Sequence, residues 1–214
     1  MVGSNLPFYG AIASLRYDAF MPILTIAHTK GGVGKSTSTI FLACAAHERG
    51  IPVRVVDLDR QGTTTAWAAA AAGGEPLPFT VSTDLLDDDP GVLTIVDTPP
   101  GEARAIQSAI DAADLVVIPS RATPADLARV YPTVAATSHK PAVVVLTSIR
   151  LGTRLLDQAR ELLEADSIVT AGTVIPQREA IAAAFGTVPT QHHGYGDLLD
   201  ELLDTGLLEG SESS

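Results

Sequence analysis

Lys30-Gly31-Gly32-Val33-Gly34-Lys35-Ser36-Thr37 follows an apolar run at residues 23–28 and opens a helical stretch at 34–49. The reading of these eight residues decides the fold. Gly31, Gly32 and Gly34 carry no Cβ, so the backbone can turn sharply and aim its N–H groups inward. A helix starting there adds free N–H groups and the positive end of its dipole. The product is a cradle for a polyphosphate. Lys35 would reach the outer phosphates, and the Ser36 hydroxyl would ligate Mg²⁺.

Working outward, apolar runs rich in Val, Ile and Leu recur at residues 53–58, 93–98, 115–120, 142–148 and 168–175, each bounded by turn residues. Helical patterns at 102–113, 124–138, 153–165 and 177–185 alternate with them. This alternation predicts an α/β fold: a mainly parallel twisted sheet with helices on both faces. In such sheets ligands sit at the carboxyl ends of the strands, and every motif of interest follows a strand. The composition agrees, being 46% hydrophobic and 18% charged, as expected of strands buried on both faces.

Two further segments carry carboxylates. In Val55-Val56-Asp57-Leu58-Asp59-Arg60-Gln61-Gly62, strand alternation puts Asp57 and Asp59 on one face at the strand end. In Thr94-Ile95-Val96-Asp97-Thr98-Pro99-Pro100-Gly101, Asp97 closes an apolar strand, the arrangement that binds Mg²⁺ directly or through water. The Pro99-Pro100-Gly101 loop is placed to sense an outer phosphate, as switch loops do.

The glycine-rich motif departs from the general P-loop pattern, which has glycine five residues before Gly34; here Thr29 stands there and Lys30 follows. In this it resembles the deviant Walker A motif of the ParA/MinD superfamily of ATPases. The resemblance covers residues 23–203 and is closest to short ParA-type partition ATPases. It implies ATP and Mg²⁺ as cofactors, with residues 30–37 as the nucleotide-binding segment. It makes Lys30 a signature lysine that reaches the partner's phosphates in an ATP-sandwiched homodimer. Asp57-Leu58-Asp59 resembles the family's second motif, in which Asp59 positions the hydrolytic water and Asp57 supports the metal shell. Arg60 stands where proline is usual, which puts the hydrolysis rate in question. Lys30, Lys35 and Asp59 are thus the candidate catalytic residues; Ser36, Asp57 and Asp97 are the candidate metal ligands. The run Ile175-Pro176-Gln177-Arg178 resembles the adenine-side loop, with Pro176 at the base, although proline also suits a strand–helix junction for geometry alone.

The family behaviour further implies non-specific DNA binding by the ATP dimer, with hydrolysis stimulated by a ParB-like or other adaptor protein. That implies a cytoplasmic, nucleoid-associated protein that partitions plasmids or chromosomes. Candidate phosphate contacts are Arg121, Arg129, Lys140, Arg150, Arg154 and Arg178. Arg150 and Arg154 would share a face if the helix there starts early. The net charge is −11, a poor background for DNA binding, so scattered surface cations are the competing reading. Two other classes stay open: a MinD-like or cargo-positioning ATPase without DNA binding, and a P-loop small-molecule kinase or ligase that has no need of Lys30.

The remaining features are read conservatively. No apolar run approaches the roughly 18 residues that cross a bilayer. The last helix is acidic, with no Lys or Arg in residues 181–214, so a membrane-binding tail is not expected and Leu198, Leu199, Leu202 and Leu203 should face the core. No helix-turn-helix pattern precedes the loop, so sequence-specific DNA reading is not expected. Cys44 reads as a small core residue. His192-His193 reads as a solvated loop, because adjacent side chains point apart. The alanine-rich stretch at 66–74 reads as a surface helix, with Trp67 a possible partner contact. Residues 1–20 read as an N-terminal extension, with Met21 a plausible alternative start. One ATPase domain spans 21–206, and 207–214 is expected to be a disordered acidic tail.

Overall fold

A computed structural model of the chain describes residues 22–84 and 91–204. The N-terminal extension, Asp87-Asp88-Asp89 and the acidic tail lie outside the described residues. Six parallel strands form one sheet in the order β3-β2-β4-β1-β5-β6. They are β1 (Ile23–Ile26), β2 (Val53–Asp57), β3 (Thr80–Ser82), β4 (Leu93–Asp97), β5 (Leu115–Ser120) and β6 (Ala142–Leu146). β1 is central, paired with β4 on one side and β5 on the other. The chain therefore reverses its winding around β1, and the crevice at its carboxyl end is the ligand position of such a sheet.

Strand alternation sorts the core into two layers. Leu115 and Val117 of β5 join one cluster, with helices α1 (Lys35–Glu48), α2 (Thr63–Ala71) and α8 (Tyr195–Asp204). Val116 and Ile118 join the other, with α3 (Ala103–Ala112), α4 (Pro124–Leu127), α5 (Val130–Ala136) and α6 (Arg154–Ala165). α1 is buried all round from Thr39 to Ala46, because α8 covers the side that the sheet does not. Leu198, Leu199 and Leu202 make that cover and Leu203 packs beside them. Arg49 fastens the pair with a bidentate bond to Asp200, at 2.6 and 2.7 Å. Cys44 is buried among them and burial pushes its thiol up to about 12.

Four expectations change. The run at 168–175 is not a continuous strand: Thr170 makes one isolated bridge to Val144, and Pro176 just beyond the run makes another to Ile149. Between them the amides of Gly172 and Thr173 turn to the Glu201 carboxylate of α8, at 2.7 and 2.9 Å, which interrupts the ladder. β3 arises unpredicted, as three residues at the edge beside β2. The single helix expected at 124–138 is α4 and α5, since Pro132 would clash with the carbonyl of Ala128 in a continuous helix. The helix expected at 177–185 shrinks to α7 (Glu179–Ala182).

Trp67 is 3% exposed, with its indole N–H on Thr187 O at 2.8 Å and its ring beside Phe41 and Phe185. Its partners are intramolecular. His192 and His193 lie in a loop, as expected, but are half-buried and not free in solvent: His192 bonds Glu48 at 2.7 Å, and His193 lies near the Phe41 ring. Among the described residues no helix is long and apolar enough to cross a membrane.

Candidate functional site

The loop between β1 and α1 turns on two glycines in the left-handed region, Gly32 at φ +73° and Gly34 at φ +100°. Gly34 is also the N-cap of α1, so the amino end of that helix opens directly into the loop. Three outside contacts hold the loop. The Thr147 hydroxyl, just beyond β6, donates to Val33 O at 2.9 Å. Arg121, just beyond β5, donates from Nη2 to Gly32 O at 3.1 Å. The Lys30 N–H donates to His28 Nδ1 at 2.9 Å, which leaves the imidazole proton on Nε2. His28 is fully buried and its Nε2 meets no partner. Burial, reinforced by the charge of Lys35, holds its pKa down to about 4, so the ring is neutral.

Lys35 is 7% exposed and folds back so that Nζ donates to Lys30 O at 3.3 Å. Burial lowers its pKa; the charges of Asp97 and Asp59 oppose that, so ammonium and carboxylates face one another. Lys30 stands apart from this arrangement. Its ammonium is paired with Asp126 of α4, which the Thr123 hydroxyl also bonds at 2.6 Å.

On the other side of the loop Asp97 ends β4. It is buried with Oδ2 accepting from the Thr64 hydroxyl at 2.7 Å, while Oδ1 is buried without a partner. Burial pushes its pKa up to about 6, opposed by the neighbouring Ser36 and Thr64 hydroxyls. A buried carboxylate oxygen lacking a donor, beside a helix-start serine, fits a Mg²⁺ ion that is completed by phosphate oxygens and water. Ser36 and Asp97 are the residues that would hold it.

Asp57 uses both oxygens within the chain. Oδ1 accepts from the Asp59 N–H at 3.0 Å; Oδ2 accepts from the Thr65 N–H and hydroxyl at 2.8 and 2.9 Å. It therefore fixes the loop that presents Asp59. That loop is closed by Gly62 N–H to Asp59 O at 2.7 Å and Gln61 N–H to Asp59 Oδ1 at 2.9 Å. Hydrogen bonds thus shape the turn where Arg60 replaces a proline.

Lys35, Ser36 and Asp59 open onto one cleft of about 750 Å³, within the size range of small-molecule sites; Asp57 and Asp97 lie behind its wall. Gly31, Gly32, Gly34, Lys35, Ser36, Thr37 and Asp59 form its polar end; Pro176, Ile181, Phe185 and Trp67 form its apolar end. Polyphosphate at one end and a flat apolar base at the other is the shape of a nucleotide. One comparison decides the family: residues 24–188 match the model described as the CobQ/CobB/MinD/ParA nucleotide binding domain.

The chain belongs to the ParA/MinD superfamily.

A ParA protein of Rhizobium radiobacter is 35% identical over 111 residues, covering 47% of this chain and 49% of that protein. Maintenance of carboxysome distribution protein A (McdA) of Gloeobacter kilaueensis is 37% identical over 159 residues, covering 67% of this chain and 70% of that one. Among solved structures, the ATP complex of Cyanothece McdA superposes with TM-score 0.68 at 16% identity, over 92% of this chain and 99% of that one. The cell-division ATPase MinD of Pyrococcus furiosus gives 0.67 at 18%, over 86% and 99%. These last likenesses establish the fold.

The six cationic DNA candidates do not form one patch. Arg121 sits on the phosphate loop. Arg150 bonds the Gln177 side chain at 3.1 Å, and Arg178 lines the cleft. Arg154 is the first residue of α6, whose N-cap is Thr153, so Arg150 is off that helix and the two do not share its face. Arg129 is the N-cap of α5. Lys140 donates to Ala113 O at 2.8 Å, at the opposite, amino edge of the sheet. Three residues of this site were not singled out from the sequence. Thr64 could have been found as a threonine in the first turn of a helix straight after a strand-end motif, and Thr147 as a hydroxyl ending a buried strand. His28 carries no local signal.

Proposed function

We propose that this protein is a ParA-type ATPase that dimerises on ATP, binds duplex DNA without sequence preference and is released when a ParB-like or other adaptor stimulates hydrolysis. The observation that carries this reading is the pairing, around one phosphate loop, of two lysines with two differently held carboxylates. Lys35 is buried and faces inward; Lys30 is 43% exposed at the mouth, suited to a phosphate on a second copy. Asp97 suits the metal. Asp59 is held by its own turn at the cleft wall, where a water attacking the outer phosphate would stand. Asp57 acts by bracing that turn, and Pro176 lines the base end.

The name of the McdA relative, maintenance of carboxysome distribution, supports a positioning role. A second reading, an ATPase that positions cargo without holding DNA, is favoured by the net charge of −11 and by the placement of Lys140 away from the arginines. The reading as a small-molecule kinase or ligase predicts that turnover tolerates Lys30→Ala.

The test is retention of Asp59→Ala on random-sequence duplex DNA, with ATP against ADP, at two salt concentrations. The partition reading expects ATP-dependent retention that falls with salt. No retention by an ATP dimer that still forms would move the function to protein cargo.

A further inference from the structure

The segment from Arg121 to Asp126, which follows β5 and enters α4, crosses the mouth of the phosphate loop. It presents two charged groups there: Asp126, which holds Lys30, and Arg121, which lies on Gly32 O. The loop has two ends. At its helix end, Gly34 to Thr37 offer backbone N–H groups, which suit the inner phosphates. At its strand end, residues 30–32, Lys35 Nζ folds back to within 3.3 Å of Lys30 O, which marks where the outer phosphates lie. Arg121 stands at this second end and lines the same cleft as Lys35 and Asp59.

We propose that Arg121 is a specificity-determining residue that reads the γ-phosphate and so distinguishes ATP from ADP, rather than a DNA contact. The inference rests on the nucleotide-switch reading above. A guanidinium is permanently charged and offers five N–H donors in a planar fork that matches phosphate oxygens. Its hydrogen-bond partner here is a neutral carbonyl, a weaker acceptor than a phosphate oxyanion, and the Asp126 carboxylate that also feels its charge is already paired with Lys30. A third phosphate at the strand end therefore draws the guanidinium off Gly32 O, whereas a diphosphate leaves it there. The loop then loses one outside tether only in the triphosphate state, and the segment that carries Asp126 and Lys30 feels the exchange.

The test is calorimetric binding of Mg²⁺–ADP and of a non-hydrolysable Mg²⁺–ATP analogue to the full chain and to Arg121→Ala, Arg121→Gln and Arg121→Lys. The Ala and Gln variants are expected to bind the triphosphate about 10- to 100-fold more weakly, with ADP affinity unchanged; Lys is expected to recover part of the loss. The Gln variant keeps an amide donor for Gly32 O, and unchanged ADP affinity reports an intact loop. An equal loss for both nucleotides would assign Arg121 to the inner phosphates and overturn the proposal. So would loss of DNA retention with the nucleotide preference intact. Wild-type protein that binds neither nucleotide would instead sink the nucleotide-switch reading itself.

Discussion

The two walls of the phosphate site are built differently. On the β2–β4 wall, Asp57, Thr64, Thr65 and Asp97 are joined by bonds of 2.7–2.9 Å, with Thr64 and Asp97 fully buried. On the β5 wall, Lys30 and Arg121 are exposed cations held by Asp126 and by a backbone carbonyl. The first wall is preorganised, and rearranging it would strand buried polar atoms. In the second the cations are exposed and within reach of water or phosphate, while the Asp126 carboxylate is itself buried and keeps the Thr123 hydroxyl. Metal and attacking water need fixed positions; recognition of an arriving phosphate or a second subunit needs groups that can let go. On the function proposed above, this difference divides the labour of the site.

The largest effect expected is from Lys35→Ala, at the junction of the walls. Losing the buried ammonium should weaken nucleotide binding by more than about 100-fold, read by calorimetry; unchanged affinity would refute the site. Next comes acid stability. The unfolded chain protonates His28 near pH 6.5, whereas the folded chain resists until about pH 4. The contribution is thus complete above pH 6.5 and is lost as pH falls from 6.5 toward 4, by at most ~3 kcal/mol. In His28→Asn, whose side chain can still accept the N–H two residues on, urea unfolding should show a shallower loss over that interval. The same slope in both proteins would exclude His28 as its source.

Thr64→Val tests the rigid wall, since it leaves Asp97 Oδ2 buried without its donor. A destabilisation of about 1–3 kcal/mol is expected, recovered by Thr64→Ser; a wild-type melting temperature for the Val variant would mean that the bond contributes nothing. The smallest effect is on the exchangeable wall. Asp126→Asn keeps an oxygen acceptor for the Thr123 hydroxyl and should change stability by about 1 kcal/mol while releasing Lys30, so that ATP-dependent dimers form at lower protein concentration in light scattering. Lys30→Ala should stay monomeric yet bind nucleotide. Dimerisation of Lys30→Ala would remove the lysine from the subunit contact, and the contrast between the walls would lose its functional meaning.

Much of this was legible in the chain itself. A phosphate loop is backbone geometry written in glycines, a lysine and a serine within eight residues, so Lys30 to Thr37 announce it locally. Asp57, Asp59 and Asp97 are legible for the same reason, each standing where an apolar strand stops. The alternation of strands and helices determined a parallel sheet with helices on both faces. Tertiary structure decided what lies opposite each of these groups. β4 and β5 flank β1 although β2 follows it in sequence, and that order alone brings Thr64 to Asp97, Asp126 to Lys30 and Arg121 to Gly32. It also decided that Asp57 serves its own loop, that Trp67 is buried, and that Glu201 interrupts the pairing of the 168–175 run with β6. Local pattern specifies which backbone a segment adopts, because φ/ψ preference and burial periodicity act over a few residues. Pairings across 33, 96 or 89 residues are set by packing, to which no local pattern points.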